Sequence, residues 1–229
     1  MRSSTCRRSW SPPRSASAGY LLATWDELGV LVAAARERGA RVHFDGARIW
    51  ETTPYLGREL PEIAGLADSV YVSFYKTLGG VAGAALAGPV DLVAEARAWR
   101  HRYGGQLFQQ WPAALAALVG LDTVLPRLPE YVSHAHTVAA ALASAPGSRV
   151  HPDPPHTHQF QWWLPYPAEV LEDAALRLAE ADRTWLCAGW RPDGPGYAVA
   201  EVTVAEPAVS WTRGDVEEAV AAFLALATR

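Results

Sequence analysis

The chain has 229 residues, 50% of them hydrophobic, and a formal charge of -4. That length and apolar content suffice for a sizeable core and exclude a chain disordered as a whole, while the acidic balance argues against a nucleic-acid partner, which draws a basic surface. Two cysteines, Cys6 and Cys187, make neither a disulfide framework nor a metal cluster, so a reduced, cytoplasmic setting is expected; no apolar run reaches the roughly eighteen residues of a spanning helix, so no membrane partner is expected.

Residues 1–18 are rich in Ser, Arg and Pro, lack acidic residues and have no helical or strand period, which predicts a disordered start. Thr24-Trp-Asp-Glu27 has the form of a helix capping box, and Leu28, Leu31, Val32 and Ala35 follow at helical spacing until Gly39 stops the helix. Residues 41–45 form a short strand and residues 61–67 a second helix. Residues 69–75 read as a strand that is β-branched and aromatic on both faces, as in a buried parallel sheet, and residues 82–88 as a third strand of small residues. Pro89 opens a helix that ends near Gly104-Gly105, and a longer helical region over 112–145 is broken near Pro126 and Pro129.

The Pro-rich stretch 146–155 reads as a linker, and beyond it the expected order is strand 158–164, helix 168–181, strands 184–190 and 197–204, and a closing helix from about Arg213. The domain plan is therefore a disordered start over 1–18, a larger domain over 19–145 and a smaller α/β domain over 156–229. His151, His156 and His158 have no carboxylate or cysteine beside them and fit a flexible surface segment better than a metal site, so no metal is expected. Trp162-Trp163 fits packing. His43, inside a strand, fits a hydrogen-bonded core histidine.

Lys76 is the single lysine of the chain, and every other basic side chain is arginine. Only an amine with an accessible neutral form condenses with a carbonyl; a guanidinium does not. Composition alone leaves a reactive lysine and a surviving surface lysine both open. Position adds more, because Asp45 and Lys76 fall at the carboxyl ends of consecutive strands joined by a crossover, the edge at which parallel α/β sheets bind ligands. A carboxylate, an arginine three residues on, and a lysine followed by Gly79, Gly80 and Gly83 suit pyridoxal chemistry. The amine takes the cofactor aldehyde, the carboxylate keeps the pyridine nitrogen protonated, and Ser73 is placed to donate to the phosphate.

His43-Phe-Asp45-Gly-Ala-Arg48-Ile-Trp, followed by Ser73-Phe-Tyr-Lys76-Thr-Leu-Gly79-Gly-Val-Ala-Gly83, resembles the paired signature of the threonine aldolase and aromatic amino acid β-eliminating lyase family, pyridoxal 5'-phosphate enzymes of fold type I. The resemblance runs from about Gly19 to the C-terminus. It implies an α/β fold in which part of a large domain with a mostly parallel sheet is followed by a small C-terminal α/β domain. It also implies Lys76 as the catalytic Schiff-base lysine, with Asp45 on the pyridine nitrogen, Arg48 supporting cofactor and substrate carboxylate, and Ser73 as a further cofactor contact.

The implied reaction splits a β-hydroxy-α-amino acid such as threonine into glycine and an aldehyde. A small-molecule amino acid is then the substrate, and a homo-oligomer, dimer or tetramer, the assembly. Three features depart from the family pattern. The earlier strands, phosphate loop and ring-stacking histidine that precede the equivalent of Thr24 in the family have no counterpart here; Ala200 stands where a small-domain arginine clamps the substrate carboxylate; and Thr77 replaces the commoner glycine. The reading thus divides between a lyase, by aldol cleavage or by β-elimination, and a catalytically incompetent fragment of such an enzyme.

Overall fold

A computed structural model describes residues 19–228, so the expectation for residues 1–18 lies outside the described residues. The chain divides into two compact units, Leu22–Pro129 and a second made of residues 19–21 with 130–228.

The first unit opens with α1 (Trp25–Glu37) and β1 (His43–Asp45), continues through a 3-10 turn (Ile49–Glu51), α2 (Thr53–Leu56) and α3 (Leu60–Gly65), and reaches β2 (Ser69–Ser73) and β3 (Ala84–Ala87). β1 and β2 are parallel, with Phe44 opposite Val70, whereas β3 runs antiparallel to β2. The Asp68 carboxylate fixes this register by accepting the Val42 N–H at 2.7 Å, while the Asp68 N–H donates to the Val42 carbonyl at 2.8 Å.

Strand alternation turns Phe44 and Val70 to one face, where they meet Leu28 and Val32 of α1, Ile49, Leu56 and Ile63 in one buried cluster. His43, Asp45, Tyr71 and Ser73 fall on the other face. The expectation of a strand buried on both faces is corrected accordingly, since Tyr71 and Val72 are only half-buried. His43 meets its expectation through Nδ1, 2.8 Å from the Ser69 hydroxyl. The unit ends with α4 (Val90–Arg102) and α5 (Trp111–Val119); a π turn (Gly120–Val124) and a 3-10 turn (Leu125–Arg127) then break the helical region where its prolines predict.

The second unit takes most of α6 (Leu128–Ala143), then β4 (Arg149–His151), β5 (Gln159–Leu164), α7 (Ala168–Asp182), β6 (Arg191–Pro192), β7 (Ala198–Thr203), α8 (Glu206–Val209) and α9 (Arg213–Ala227). Its antiparallel sheet has the order β4-β5-β7-β6. Ala135, Val138, Ala139 and Leu142 of α6 join the same core as Phe160, Trp162, Leu171, Leu178 and Phe223. That packing draws the helix into the second unit, although its sequence position suggests the first.

Two local expectations are corrected. Residues 146–155 are not a linker, because β4 pairs with β5 with Val150 opposite Trp162, and the Trp162 indole N–H donates to the Ser148 hydroxyl at 2.7 Å. His158 is accordingly buried, stacked on Tyr131, and burial together with the charge of His151 lowers the His156 pKa. Residues 184–190 are not a strand. Gly189 has φ +75°, and the chain there meets the Glu172 carboxylate, so only Arg191 and Pro192 pair with β7.

The capping box at Thr24 forms as expected, and α9 carries a second. Glu27 and Asp215 each accept the backbone N–H of the threonine three residues earlier, at 2.8 and 2.7 Å. Hydrogen bonds to Thr24 and to Thr212 hold both carboxylates below their usual range. A depressed folded-state value contributes stability that is present above the ordinary carboxylate range and lost as pH falls through the depressed value. The Thr24→Ala/Thr212→Ala variant should therefore be less stable than the parent in urea at neutral pH, and that gap should narrow as the pH falls below about 4. A gap constant with pH would remove the carboxylates from the account.

Candidate functional site

Parallel pairing brings the two motifs to one edge of the sheet. Asp45 ends β1 opposite Tyr71, and β2 runs two residues further to Ser73, with Lys76 three beyond. Ladder hydrogen bonding continues past Asp45, where the Gly46 N–H donates to the Tyr71 carbonyl at 2.8 Å. The Asp45 carboxylate is exposed and accepts the Ala47 N–H at 3.3 Å. Half-buried Arg48 directly precedes the 3-10 turn.

Beyond the strands the two segments are fastened side chain to backbone. The Ser73 hydroxyl donates to the Ala47 carbonyl at 2.6 Å, and the Trp50 indole N–H donates to the Ser73 carbonyl at 3.0 Å. Trp50 also stacks on Phe74, with ring centroids 6.0 Å apart. Next to the lysine, the Thr77 hydroxyl donates to the carboxylate of Glu51 at 2.5 Å, and Glu51 is 0% exposed. The loop closes on itself as the Gly80 N–H donates to the Phe74 carbonyl at 2.8 Å; a Cβ at Gly80 would lie 2.6 Å from that oxygen, so only glycine fits.

Lys76 projects from this braced loop. It is exposed, and its amine has no hydrogen-bond or ion-pair partner among the described residues. Around Asp45 the strand adds a group that sequence reasoning missed. The Tyr71 hydroxyl is pushed up to about 12 by its hydrogen bond with Tyr75 and by burial, then by the charges of Tyr75 and Asp45, so it keeps its proton at neutral pH. Strand alternation, which puts Tyr71 on the face of Asp45, was the available signal. Glu51 and Thr77 were also missed, because no local pattern pairs residues across a crossover.

An unengaged amine, a carboxylate on the neighbouring strand end and a glycine turn that admits close approach make a donor set that fits an aldehyde-bearing, nitrogen-heterocyclic cofactor. Ser73 fits it least directly. Its hydroxyl proton, expected on a phosphate, is committed to the Ala47 carbonyl.

In the second unit, Ala200 is 0% exposed and lies opposite Trp162, while Arg191 meets Glu201 at 3.4 Å. Among the described residues, no group of three or more His, Cys, Asp or Glu side chains is placed to hold a metal, and no helix is long and apolar enough to cross a membrane.

Residues 17–162 match the family model described as Beta-eliminating lyase. The chain is 33% identical over 116 residues to the low-specificity L-threonine aldolase 1 of Arabidopsis thaliana, covering 51% of this chain and 32% of the plant protein. It is 36% identical over 110 residues to the low specificity L-threonine aldolase of Escherichia coli K12, covering 48% and 33%. It thus spans about a third of the length of these curated relatives.

Among solved structures, one from Exiguobacterium, assigned to the aromatic amino acid beta-eliminating lyase/threonine aldolase group, superposes with a TM-score of 0.87 at 30% identity, covering 94% of this chain and 60% of that one. One from Listeria monocytogenes, assigned as an L-allo-threonine aldolase, gives 0.85 at 30% identity, covering 95% and 60%. These matches carry the fold type I architecture of the pyridoxal 5'-phosphate enzymes.

The Thr77 to Glu51 hydrogen bond yields a direct test of the fastening. Thr77→Val strips a donor from a fully buried acid and should cost about 1–3 kcal/mol in urea denaturation. Thr77→Ser keeps the hydroxyl and should cost less than about 1 kcal/mol. Equal losses from the two substitutions would show that the hydroxyl contributes nothing.

Proposed function

We propose, because this chain belongs to the beta-eliminating lyase family, that it is a pyridoxal 5'-phosphate-dependent lyase. In this reading it breaks the Cα–Cβ bond of a β-hydroxy-α-amino acid of the threonine type in the cytoplasm, giving glycine and an aldehyde. The observation that carries it is the exposed, unengaged Lys76 amine on a loop fastened to the segment that bears Asp45 and Arg48. The threonine aldolase relatives support the choice of reaction over β-elimination.

The cofactor, when bound, supplies an aldehyde that takes up amines and a conjugated ring that accepts an electron pair from Cα. The residues of this chain do the rest. Lys76 Nζ would hold the cofactor, since an amine can offer a lone pair to an aldehyde where a guanidinium cannot. Asp45 would keep a ring nitrogen of the cofactor protonated by its negative charge. Arg48 binds carboxylate, with a planar fork suited to two oxygens. Ser73 acts through Ala47, keeping the segment between Asp45 and Arg48 against the lysine loop.

A second reading, a chain that retains the fold without the activity, draws support from Ala200, buried against Trp162 at the position of the family's clamp arginine. Assembly as a homo-oligomer is supported by exposed apolar side chains along α4, α5 and the segment between them, including Trp99, Phe108, Trp111 and Leu118.

Mixing the purified chain with pyridoxal 5'-phosphate should produce a visible absorption band that Lys76→Ala and Lys76→Arg both lack. Addition of threonine should then release glycine and acetaldehyde. Failure of the parent to produce the band would refute the enzyme reading of this chain, and ammonia with a keto acid in place of glycine would transfer it to β-elimination. In sedimentation velocity the chain should run as a dimer or tetramer; a monomer at micromolar concentration would defeat the assembly.

A further inference from the structure

Residues 184–190 have the composition of a strand but do not form one, and the reason lies within the second unit. β6 and β7 are antiparallel, with Arg191 opposite Val199 and Pro192 opposite Ala198, and pairing stops there. Carried upstream, the same register sets Trp190 against Ala200, Gly189 against Glu201, Ala188 against Val202, Cys187 against Thr203 and Leu186 against Val204. β5 occupies only one side of β7 over this span. On the other side, Glu201 and Thr203 have no strand partner among the described residues.

In place of the pairing there is a cavity of about 630 Å³, whose wall includes Leu186, Cys187 and Ala188 on one side and Val202, Thr203 and Val204 on the other. These are the residues that continued pairing would bring together.

Two features hold the segment off. The Glu172 carboxylate on α7 accepts the N–H groups of both Gly189 and Trp190, at 3.1 and 3.2 Å. In the continued register Gly189 would exchange hydrogen bonds with Glu201, as Arg191 does with Val199, so Glu172 occupies a donor that β7 would otherwise take. Gly189 itself has φ +75°, a left-handed conformation that interrupts an extended strand and that glycine, unlike other residues, leaves and enters at similar cost. Trp190 on the far side is fixed, buried against Trp162 and Phe223 with centroids 5.2 and 6.0 Å away.

We propose that residues 185–188 form a strap that swings about Gly189 between the lifted position, latched by Glu172, and a docked position in which it extends β6 along the edge of β7 and closes the cavity. Docking continues a register already set by two residue pairs and exchanges the Glu172 latch for ladder hydrogen bonds at Gly189 and Cys187. Leu186 and Ala188 then share the face of Val202 and Val204 and fill the cavity, while Cys187, buried in the lifted position, turns to the face of Glu201 and Thr203. The proposal is independent of the lyase reading.

The test uses the full chain with Cys6→Ser and Cys187→Ser. Ala188→Cys and Val202→Cys are then introduced together, a non-hydrogen-bonded cross-strand pair whose close Cα atoms suit a disulfide. Under mild oxidation the 188–202 disulfide should form, followed by peptide mapping, and an off-register pair, Ala188→Cys with Val204→Cys, should form it at least about tenfold more slowly. Absence of the 188–202 disulfide, or equal rates for the two pairs, overturns the strap.

A second measurement needs no new cysteine. Gly189→Ala disfavours the left-handed lifted form, and Glu172→Ala removes the latch. In each, hydrogen exchange at the Glu201 and Thr203 amides should slow about tenfold relative to the parent, while amides of β5 are unchanged. Unchanged exchange at Glu201 and Thr203 in both variants also overturns it.

Discussion

The parallel pairing of β1 with β2 is the constraint on which the candidate site depends. A parallel pair delivers both strand ends to the same edge, so Asp45 and the chain leading to Lys76 emerge side by side even though a crossover separates them in sequence. The same geometry creates a difficulty, because β1 ends at Asp45 and β2 at Ser73, and the two departing loops leave the parallel ladder they shared. The chain answers with side chains. Ser73 takes the Ala47 carbonyl, Trp50 takes the Ser73 carbonyl, and Thr77 reaches the buried acid Glu51, so the loops are held to each other and not merely to the strands. A reactive amine set on such a base loses little entropy when it engages a ligand, because its loop is already ordered.

The second unit solves a different problem by different means. Its sheet is antiparallel and its core is built on tryptophan, with Trp162 0% exposed and in contact with Trp190 and Phe223. The large rings bury much area from few residues, and the indole N–H of Trp162 is satisfied by Ser148. Ser148 lies just before β4, so the hydrogen bond that lets Trp162 be buried also ties in the proline-rich stretch after it. That is why a segment with the composition of a linker is integral to the unit.

The legibility of these features from sequence followed the range of the interactions that fix them. The helix starts at Thr24 and Arg213, the end of β1 at Asp45 and the breaks near Pro126 depend on neighbours within a few residues and were readable, whereas β2 ends at Ser73, two residues before the expected end. Pairing of Asp45 with the Lys76 loop was readable too, because a crossover between parallel strands has one common outcome. Glu51 was not, since nothing local distinguishes an acid that ends a 3-10 turn in solvent from one buried beneath a threonine. Ser73 was singled out for its place near a strand end, and there its hydroxyl donates to a neighbouring carbonyl, a local bond that the sequence pattern does not reveal. The 184–190 segment failed for a third reason: its strand character is genuine, but Glu172, more than ten residues away, competes for its N–H groups.

Ala200 shows how tightly the second unit's core is committed to packing. Ala200 stands opposite Trp162 on β5, is 0% exposed, and has the buried residues Val199 and Val202 close by in its strand. An arginine at this place would put a long cationic side chain into that buried core, where its charge would be desolvated. On the resemblance that sets a clamp arginine at this position, the tryptophan core and the clamp are alternatives, and this chain has the core. On the lyase reading, the burden of holding a substrate carboxylate within the described residues shifts to the first unit. There Arg48 stands at the start of the 3-10 turn that ends in Glu51, on a segment whose position is fixed by Ala47 and Trp50. Recognition and attachment would then rest on one pair of loops braced by the Ser73, Trp50 and Thr77 hydrogen bonds.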